Sequence, residues 1–247
     1  MILRADPRGT LLIGQPAHAW LSGQMAAAWA WPFHPRDQVC LAALQHDIGM
    51  AEWDAQPRLD PATGLPFGFS SMPRAMHVDL WRRAARLMVA QSGYAALLVS
   101  LHGTGLYERY VSDEERRAEP VRGYLEGEHS FQAAMIAALA LDAAEVRRNA
   151  ALVRCWDWLS LFVCTAADGE GSFAGAPAES GEVDLAVRWF EGDPTRIALT
   201  PWPFRPGPLA LSLEARLLRG SATDQQQLDA AIAAAPLESL SVELRPG

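Results

Sequence analysis

Apolar residues recur at helical intervals through the first two thirds of the chain. Residues 16–30 ("PAHAWLSGQMAAAWA") are rich in alanine and leucine and open with a proline, which suits the first turn of a helix. Residues 37–50 predict a second helix, with Asp37 placed to cap it and Leu41, Ala42, Leu44 and Ile48 as its apolar positions. In residues 75–91, His77, Leu80, Trp81, Ala84, Leu87 and Met88 share one helical face. Residues 94–106 predict an almost wholly apolar helix that ends in glycines. A charged stretch, 112–128, leads into an alanine-rich segment, 129–141, and residues 145–167 form a long apolar helix. Between the second and third helices, residues 54–74 carry four prolines and two glycines and predict a long irregular loop of the kind that serves function.

The period changes further on. Residues 168–182 ("DGEGSFAGAPAESGE") form a small-residue linker. Beyond it, Leu209, Leu211, Leu213, Ala215 and Leu217 alternate with Ser212, Glu214 and Arg216, the period of a half-buried strand. Leu240, Val242 and Leu244 alternate likewise, residues 185–190 and 195–200 are further strand candidates, and Thr223 caps a helix reaching into the alanine run that follows. The expected fold is mainly α: a helical domain over residues 1–168 and a small α+β appendage over residues 183–247 with an antiparallel sheet.

Composition narrows the function. The chain has 247 residues, a net charge of -8, 21 basic residues that are all arginine, and no lysine. An acidic chain without a basic stripe argues against nucleic acid or an anionic membrane surface as a partner. The absence of lysine removes Schiff-base chemistry on an amine and the phosphate-binding P-loop. No apolar run approaches the roughly 20 residues that cross a bilayer. The N-terminal residues lack a secretory signal, and Cys40, Cys155 and Cys164 have no zinc-like spacing, so a reducing cytoplasm is the expected location.

The segment 37–50 places His46 and Asp47 side by side within its apolar length. Burying a charged carboxylate costs several kcal/mol unless it is paired, hydrogen-bonded or metal-bound. The other histidines fall at 18, 34, 77, 102 and 129, and Asp157 lies inside "LVRCWDWLSLFVC". His34, in a loop, and His129, beside Glu128, read as solvated residues. The remainder run in the order His18, His46-Asp47, His77, His102, Asp157.

That order, carried by "PAHAWL", "LQHDIG", "AMHVD", "SLHGT" and "CWDWLS", resembles the HD-domain metalloenzyme superfamily, and in particular its six-ligand subclass. The resemblance covers about residues 10–168 and implies an HD-type helical bundle. It further implies two divalent transition metals bridged by Asp47, one completed by His18, His46 and Asp157 and the other by His77 and His102. Imidazole and carboxylate donors suit iron first, with manganese, zinc or nickel as alternatives. More narrowly, "PAHAWLSG", "HDIGMAEWD", "PATGLPF" and "YAALLVSLHG" are similar to an uncharacterised bacterial family, domain of unknown function 3891.

The superfamily implies a dinuclear phosphohydrolase acting on a nucleotide or another small phosphorylated molecule. Two cations against two carboxylates leave a positive site that draws in an anionic substrate and lowers the pKa of bound water toward about 7. Asp47 is then the catalytic carboxylate, and Arg58 and Arg74, flanking the long loop, can clamp a phosphate bidentately. Gln15 and Gln45 are placed to orient ligands, and Glu52, Trp53 and Asp54 to line the mouth. Trp81, Trp156 and Trp158 read as core. The lysine that follows the motif in many HD hydrolases is Met50 here. Two other functions fit the same pattern, a mixed-valent di-iron oxygenase and a non-catalytic metal-containing binding module. A homo-oligomer is left open.

Overall fold

The computed structural model describes residues 1–165 and 169–247. The chain begins with a hairpin, β1 (Ile2–Asp6) and β2 (Gly9–Ile13), and enters α1 (Gln15–Ala28) and α2 (Arg36–Gln45). A 3-10 turn, Ile48–Met50, leads to α3 (Ala51–Ala55) and a short hairpin, β3 (Leu59–Asp60) with β4 (Leu65–Pro66). Then come α4 (Arg74–Val89), α5 (Gly93–Tyr110), α6 (Asp113–Arg117), α7 (Val121–Ala138) and α8 (Ala143–Thr165). The chain closes with β5 (Glu170–Pro177), β6 (Glu182–Phe190), β7 (Asp193–Thr200), β8 (Leu209–Leu218), α9 (Gln225–Ala234) and β9 (Leu237–Pro246).

Seven strands form one sheet in the order β1-β2-β8-β9-β7-β6-β5, antiparallel except for the parallel pair β7–β9. The expected mainly-α HD-type bundle with a small antiparallel appendage is therefore corrected: the fold is α+β, and its sheet is mixed. Two features hid the sheet. β1 and β2 have five residues each, too few to display a period, yet β2 pairs with β8 and so joins the first residues of the chain to the C-terminal strands. β5 lies in the run that reads as a linker, and at Gly171 α8 comes close enough to favour a residue without a side chain. A Cβ at Gly171 would stand 3.2 Å from the Trp158 ring and 3.4 Å from Phe162, the aromatic residues that α8 lays on this strand. The end of the 145–167 helix and the domain boundary at 168 lie outside the described residues.

Helices and sheet share one core. Trp29 of α1 meets Trp156 of α8 edge-on at 5.5 Å and Phe204 at 5.3 Å, so the loop before β8 is packed into the helical layer. Among the described residues, no helix is long and apolar enough to cross a membrane.

Candidate metal centre

Four helices that pack on one another carry polar side chains inward. His18 sits in the first turn of α1, His102 mid-way along α5 and Asp157 in the second half of α8, all buried. His46 and Asp47 are not inside a helix, contrary to the sequence expectation. α2 ends at Gln45, His46 is its C-terminal cap, and Asp47 adopts φ -101°, ψ 16° before the 3-10 turn. This sparsely populated backbone region is one where active-site residues often sit. The break turns the Asp47 carboxylate back toward α1, where Oδ2 lies 2.8 Å from His18 Nε2. Gly49 makes the turn possible, since a Cβ there would come within 2.2 Å of the Leu80 carbonyl on α4.

Four donor atoms converge: His18 Nε2, His46 Nε2, Asp47 Oδ2 and Asp157 Oδ1. His18 Nε2 lies 3.2 Å from His46 Nε2, 2.8 Å from Asp47 and 3.5 Å from Asp157. His46 Nε2 lies 3.7 Å from Asp47 and 3.3 Å from Asp157. The outer nitrogens fix which atoms bear protons. His46 Nδ1 donates to the Ala43 carbonyl at 2.9 Å. Ser160 Oγ donates to the Asp157 carbonyl at 2.8 Å, so it accepts from His18 Nδ1 at 2.7 Å. Each Nε2 is thereby turned toward the other and toward two carboxylate oxygens. Such a gathering of acceptors is stable only around positive charge.

The titration behaviour carries the same message. Burial opposes protonation of His46, yet Asp47 and then Asp157 carry its pKa up to about 9. Burial likewise opposes ionisation of the two carboxyls. His46 and His18 nevertheless hold Asp47 low, and His102, His46 and His18 hold Asp157 well below the usual carboxylate range. His102 is different: burial pulls it down to about 4. Both of its ring nitrogens, and Asp47 Oδ1, are buried with no hydrogen-bond partner among the described residues. Its Nε2 faces Asp157 Oδ2 at 3.6 Å.

These residues fit a metal ion. Donors about 2.1 Å from a shared ion stand about 3.0–3.4 Å apart in octahedral or tetrahedral arrangements, close to the spacings observed. In two overlapping groups, His18–His46–Asp47 and His46–His102–Asp157, the donor atoms lie within 4.8 Å of one another, and neither group includes a cysteine.

His18, Asp47, His102 and Asp157 line a cavity of about 660 Å³, with His46 buried behind them. The other residues singled out by sequence fall as follows. His77 lines the same cavity but lies outside both donor groups. Trp81 Nε1 donates to its Nε2 at 3.3 Å, and its Nδ1 bonds Tyr107 Oη at 2.6 Å. Burial, with the nearby Arg74 charge, lowers its pKa to about 4. Arg74 also lines the cavity, lying over the Tyr107 ring at 5.6 Å with Nε 2.5 Å from Glu115. Arg58 does not: it stacks on Trp53 at 5.5 Å and lines a separate cavity of about 900 Å³ beside β8 and α9. Of the long loop, Phe69 and Ser70 reach the metal-centre cavity. Gln15 lines it too, with a buried Oε1 that has no partner, whereas Gln45 accepts from Gln91 at the surface. Glu52 is exposed, and Asp54 accepts from the Gln15 backbone at 2.5 Å. His129 pairs with Glu108 at the surface, 3.0 Å away.

Two charged cavity-lining residues escaped sequence reading, Arg109 and Arg154. Their signal is helical spacing: Arg154 precedes Asp157 by one turn, and Arg109 follows His102 by two. Ser160, three residues after Asp157, and Ser22, four after His18, were missed in the same way. Ser22 Oγ stands 3.0 Å from Ser160 Oγ and backs the His18 contact.

The chain belongs to the family described as Protein of unknown function (DUF3891), whose model matches residues 1–220. No curated protein and no solved structure matches it.

Proposed function

We propose that this DUF3891 member is a metal-dependent hydrolase of a small phosphorylated molecule. The observation that carries the metal centre is the convergence of two imidazole nitrogens and two carboxylate oxygens, all buried, with separations of 2.8–3.7 Å. His18, His46, Asp47 and Asp157 hold the first ion. A second ion finds donors in His102 and in the remaining oxygens of Asp47 and Asp157. A bound divalent ion, iron first and manganese, zinc or nickel as alternatives, supplies positive charge and Lewis acidity.

The rest of the chemistry belongs to the protein. Arg74, Arg109 and Arg154 line the cavity and make its wall cationic in a chain whose net charge is -8. An anionic substrate is thus drawn to this cavity rather than to the surface at large. Ser160 and the Ala43 carbonyl hold the two imidazoles with each Nε2 inward. Phe69, Leu106 and Trp158 restrict water, which strengthens every charge interaction inside. The His18, His46-Asp47, Asp157 order resembles that of the HD-domain superfamily, and the arginines lining the cavity favour a phosphorylated substrate over a neutral one.

The test is elemental analysis of protein expressed with iron and manganese supplements, followed by phosphate release from a panel of phosphomonoesters. At least one ion per chain is expected, with turnover that Asp47→Asn abolishes. Substoichiometric metal under every supplement, or turnover that survives Asp47→Asn, overturns the proposal.

A further inference from the structure

Arg109 and Arg154 stand apart from the other cavity residues. Among the described residues neither guanidinium has a carboxylate partner; Arg154 lies over the Phe173 ring at 5.2 Å. They come from different helices, Arg109 near the end of α5 and Arg154 in α8, yet line one cavity. Burial and the neighbouring Arg154 charge pull Arg109 below its ordinary pKa. Glu108 and Asp157 act on Arg109 only from beyond ion-pair distance, so the repulsion between the two like charges is one that an anion between them relieves. Gly105 gives Arg109 its place. The guanidinium folds back over this glycine, and a Cβ there would stand 2.6 Å from Nη2.

The pair is also set at a defined remove from the His/Asp cluster. Arg154 lies three residues before Asp157 and Arg109 seven after His102, offsets of about 4.5 and 10 Å along the helix axes. Apolar cavity residues accompany this spacing: Leu106 lies between His102 and Arg109 along α5, and Phe173 lies beneath Arg154. Trp158 and Phe173 pack with ring centroids 5.7 Å apart.

We propose that Arg109 and Arg154 receive a second anionic group, so that the substrate is a small molecule with two anionic groups joined by an apolar segment. The place of the first group, at the His/Asp cluster, rests on the function proposed above. The second group sits between the two guanidiniums, and the apolar segment lies against Leu106 and Phe173. Arg74 is a weaker candidate for this role, because Glu115 already occupies its Nε.

The experiment measures binding of alkane-α,ω-bisphosphonates and of alkyl monophosphonates of matched length, by titration calorimetry on the metal-loaded protein. The wild type should bind a bisphosphonate of suitable length about tenfold or more tighter than its monophosphonate partner, the worth of one charge-assisted contact pair. Arg109→Gln/Arg154→Gln should reduce that ratio to about one while metal content stays unchanged. Gly105→Ala gives a second arm, in which only the flexible end of Arg109 must move, and should lower the ratio without removing a charge. A wild-type ratio near one, or a ratio that survives the double substitution, overturns the inference. Failure of the hydrolase proposal looks different: no phosphoester is turned over, while the ratio and its loss on substitution stand.

Discussion

Two buried polar clusters share helix α5 and behave in opposite ways. On one face, Ser100 and Thr104 join Glu128 and Gln132 of α7. Glu128 is 1% exposed; its Oε1 lies 2.8 Å from Arg86 and its Oε2 accepts from Ser100 at 2.6 Å. Gln132 donates to Ser100 at 3.0 Å and to Thr104 at 3.2 Å, and no buried side-chain atom of these four lacks a partner. On the far face, about 200° around the helix from each serine or threonine neighbour, His102 has two nitrogens and no partner for either. Burial of polar groups is common to both and says nothing about function. What separates them is satisfaction: the Glu128 cluster is complete in itself, while the His18, His46, Asp47, His102 and Asp157 cluster has acceptors turned on one another.

The largest expected effect tests that separation directly. Asp47→Asn replaces a charged donor and should weaken metal binding by more than the roughly 100-fold that changes outside the ligand set produce. The same variant, freed of metal, should stay folded but lose some stability, because it removes the carboxylate that holds the His46 proton. Inductively coupled plasma analysis after dialysis against a chelator checks the first point and circular dichroism the second. Retention of metal by folded Asp47→Asn would place the cluster with Glu128, as a structural network.

His77 sharpens the comparison, because it lines the metal-centre cavity but is satisfied like Glu128. Its folded pKa of about 4 lies below the ordinary histidine value, so the unfolded chain binds more protons between the two. Stability is therefore full above pH 6.5 and falls as the pH drops toward 4, by about 3 kcal/mol for this residue. His102 shares the window. His46, raised to about 9, acts in the opposite sense: its contribution is full below pH 6.5 and fades as the pH rises through 9. Urea denaturation of metal-free protein from pH 4 to 8 should show the acid-side loss, and His77→Gln should remove about half of it. An unchanged acid-side slope in His77→Gln would show that the ring is not buried neutral.

Glu128→Ala should act on stability alone. Breaking a fully buried ion pair costs about 3–5 kcal/mol, but Arg86 is 43% exposed and can turn to water, so about 2 kcal/mol is expected. Metal content should not change. If it fell, the two faces of α5 would be coupled rather than separate.

Sequence pattern revealed the helices well, because α1, α4, α5 and α8 each bury a long apolar face. It also grouped His18, His46, Asp47, His102 and Asp157, which come within reach of one another; polar residues inside apolar helices stand out. Other features depend on tertiary contact and left no local mark. The helix break that aims Asp47 is set by close packing of Gly49 on α4. At Gly171, β5 lacks a side chain where α8 comes close, and β1 with β2 acquires a sheet only by pairing with β8, some 200 residues away in the chain. Arg109 and Arg154 look like surface arginines until two helices bring them together.

The smallest effect tests how the donor atoms are aimed. Ser160 touches no ion in the proposed centre; it holds His18 by accepting from Nδ1 at 2.7 Å, and its own proton goes to the Asp157 carbonyl one helical turn back. One hydroxyl thereby fixes the tautomer of a ligand on α1 and ties it to the backbone of the helix that carries another ligand. Ser160→Ala removes the acceptor and leaves His18 Nδ1 buried without a partner, free to take the tautomer that points a proton at the ion. Second-contact changes of this kind cost about 10- to 100-fold in affinity. Ser22 Oγ, 3.0 Å from Ser160, can move toward the vacated position, so the lower end, about tenfold, is expected. Competition with a chelator of known affinity measures it. The Ser22→Ala/Ser160→Ala double variant should fall further toward the upper end, because no hydroxyl then remains near His18. If both variants bind metal as the wild type does, the His18 tautomer is set elsewhere, and the satisfied shell around the acceptors is not what aims them.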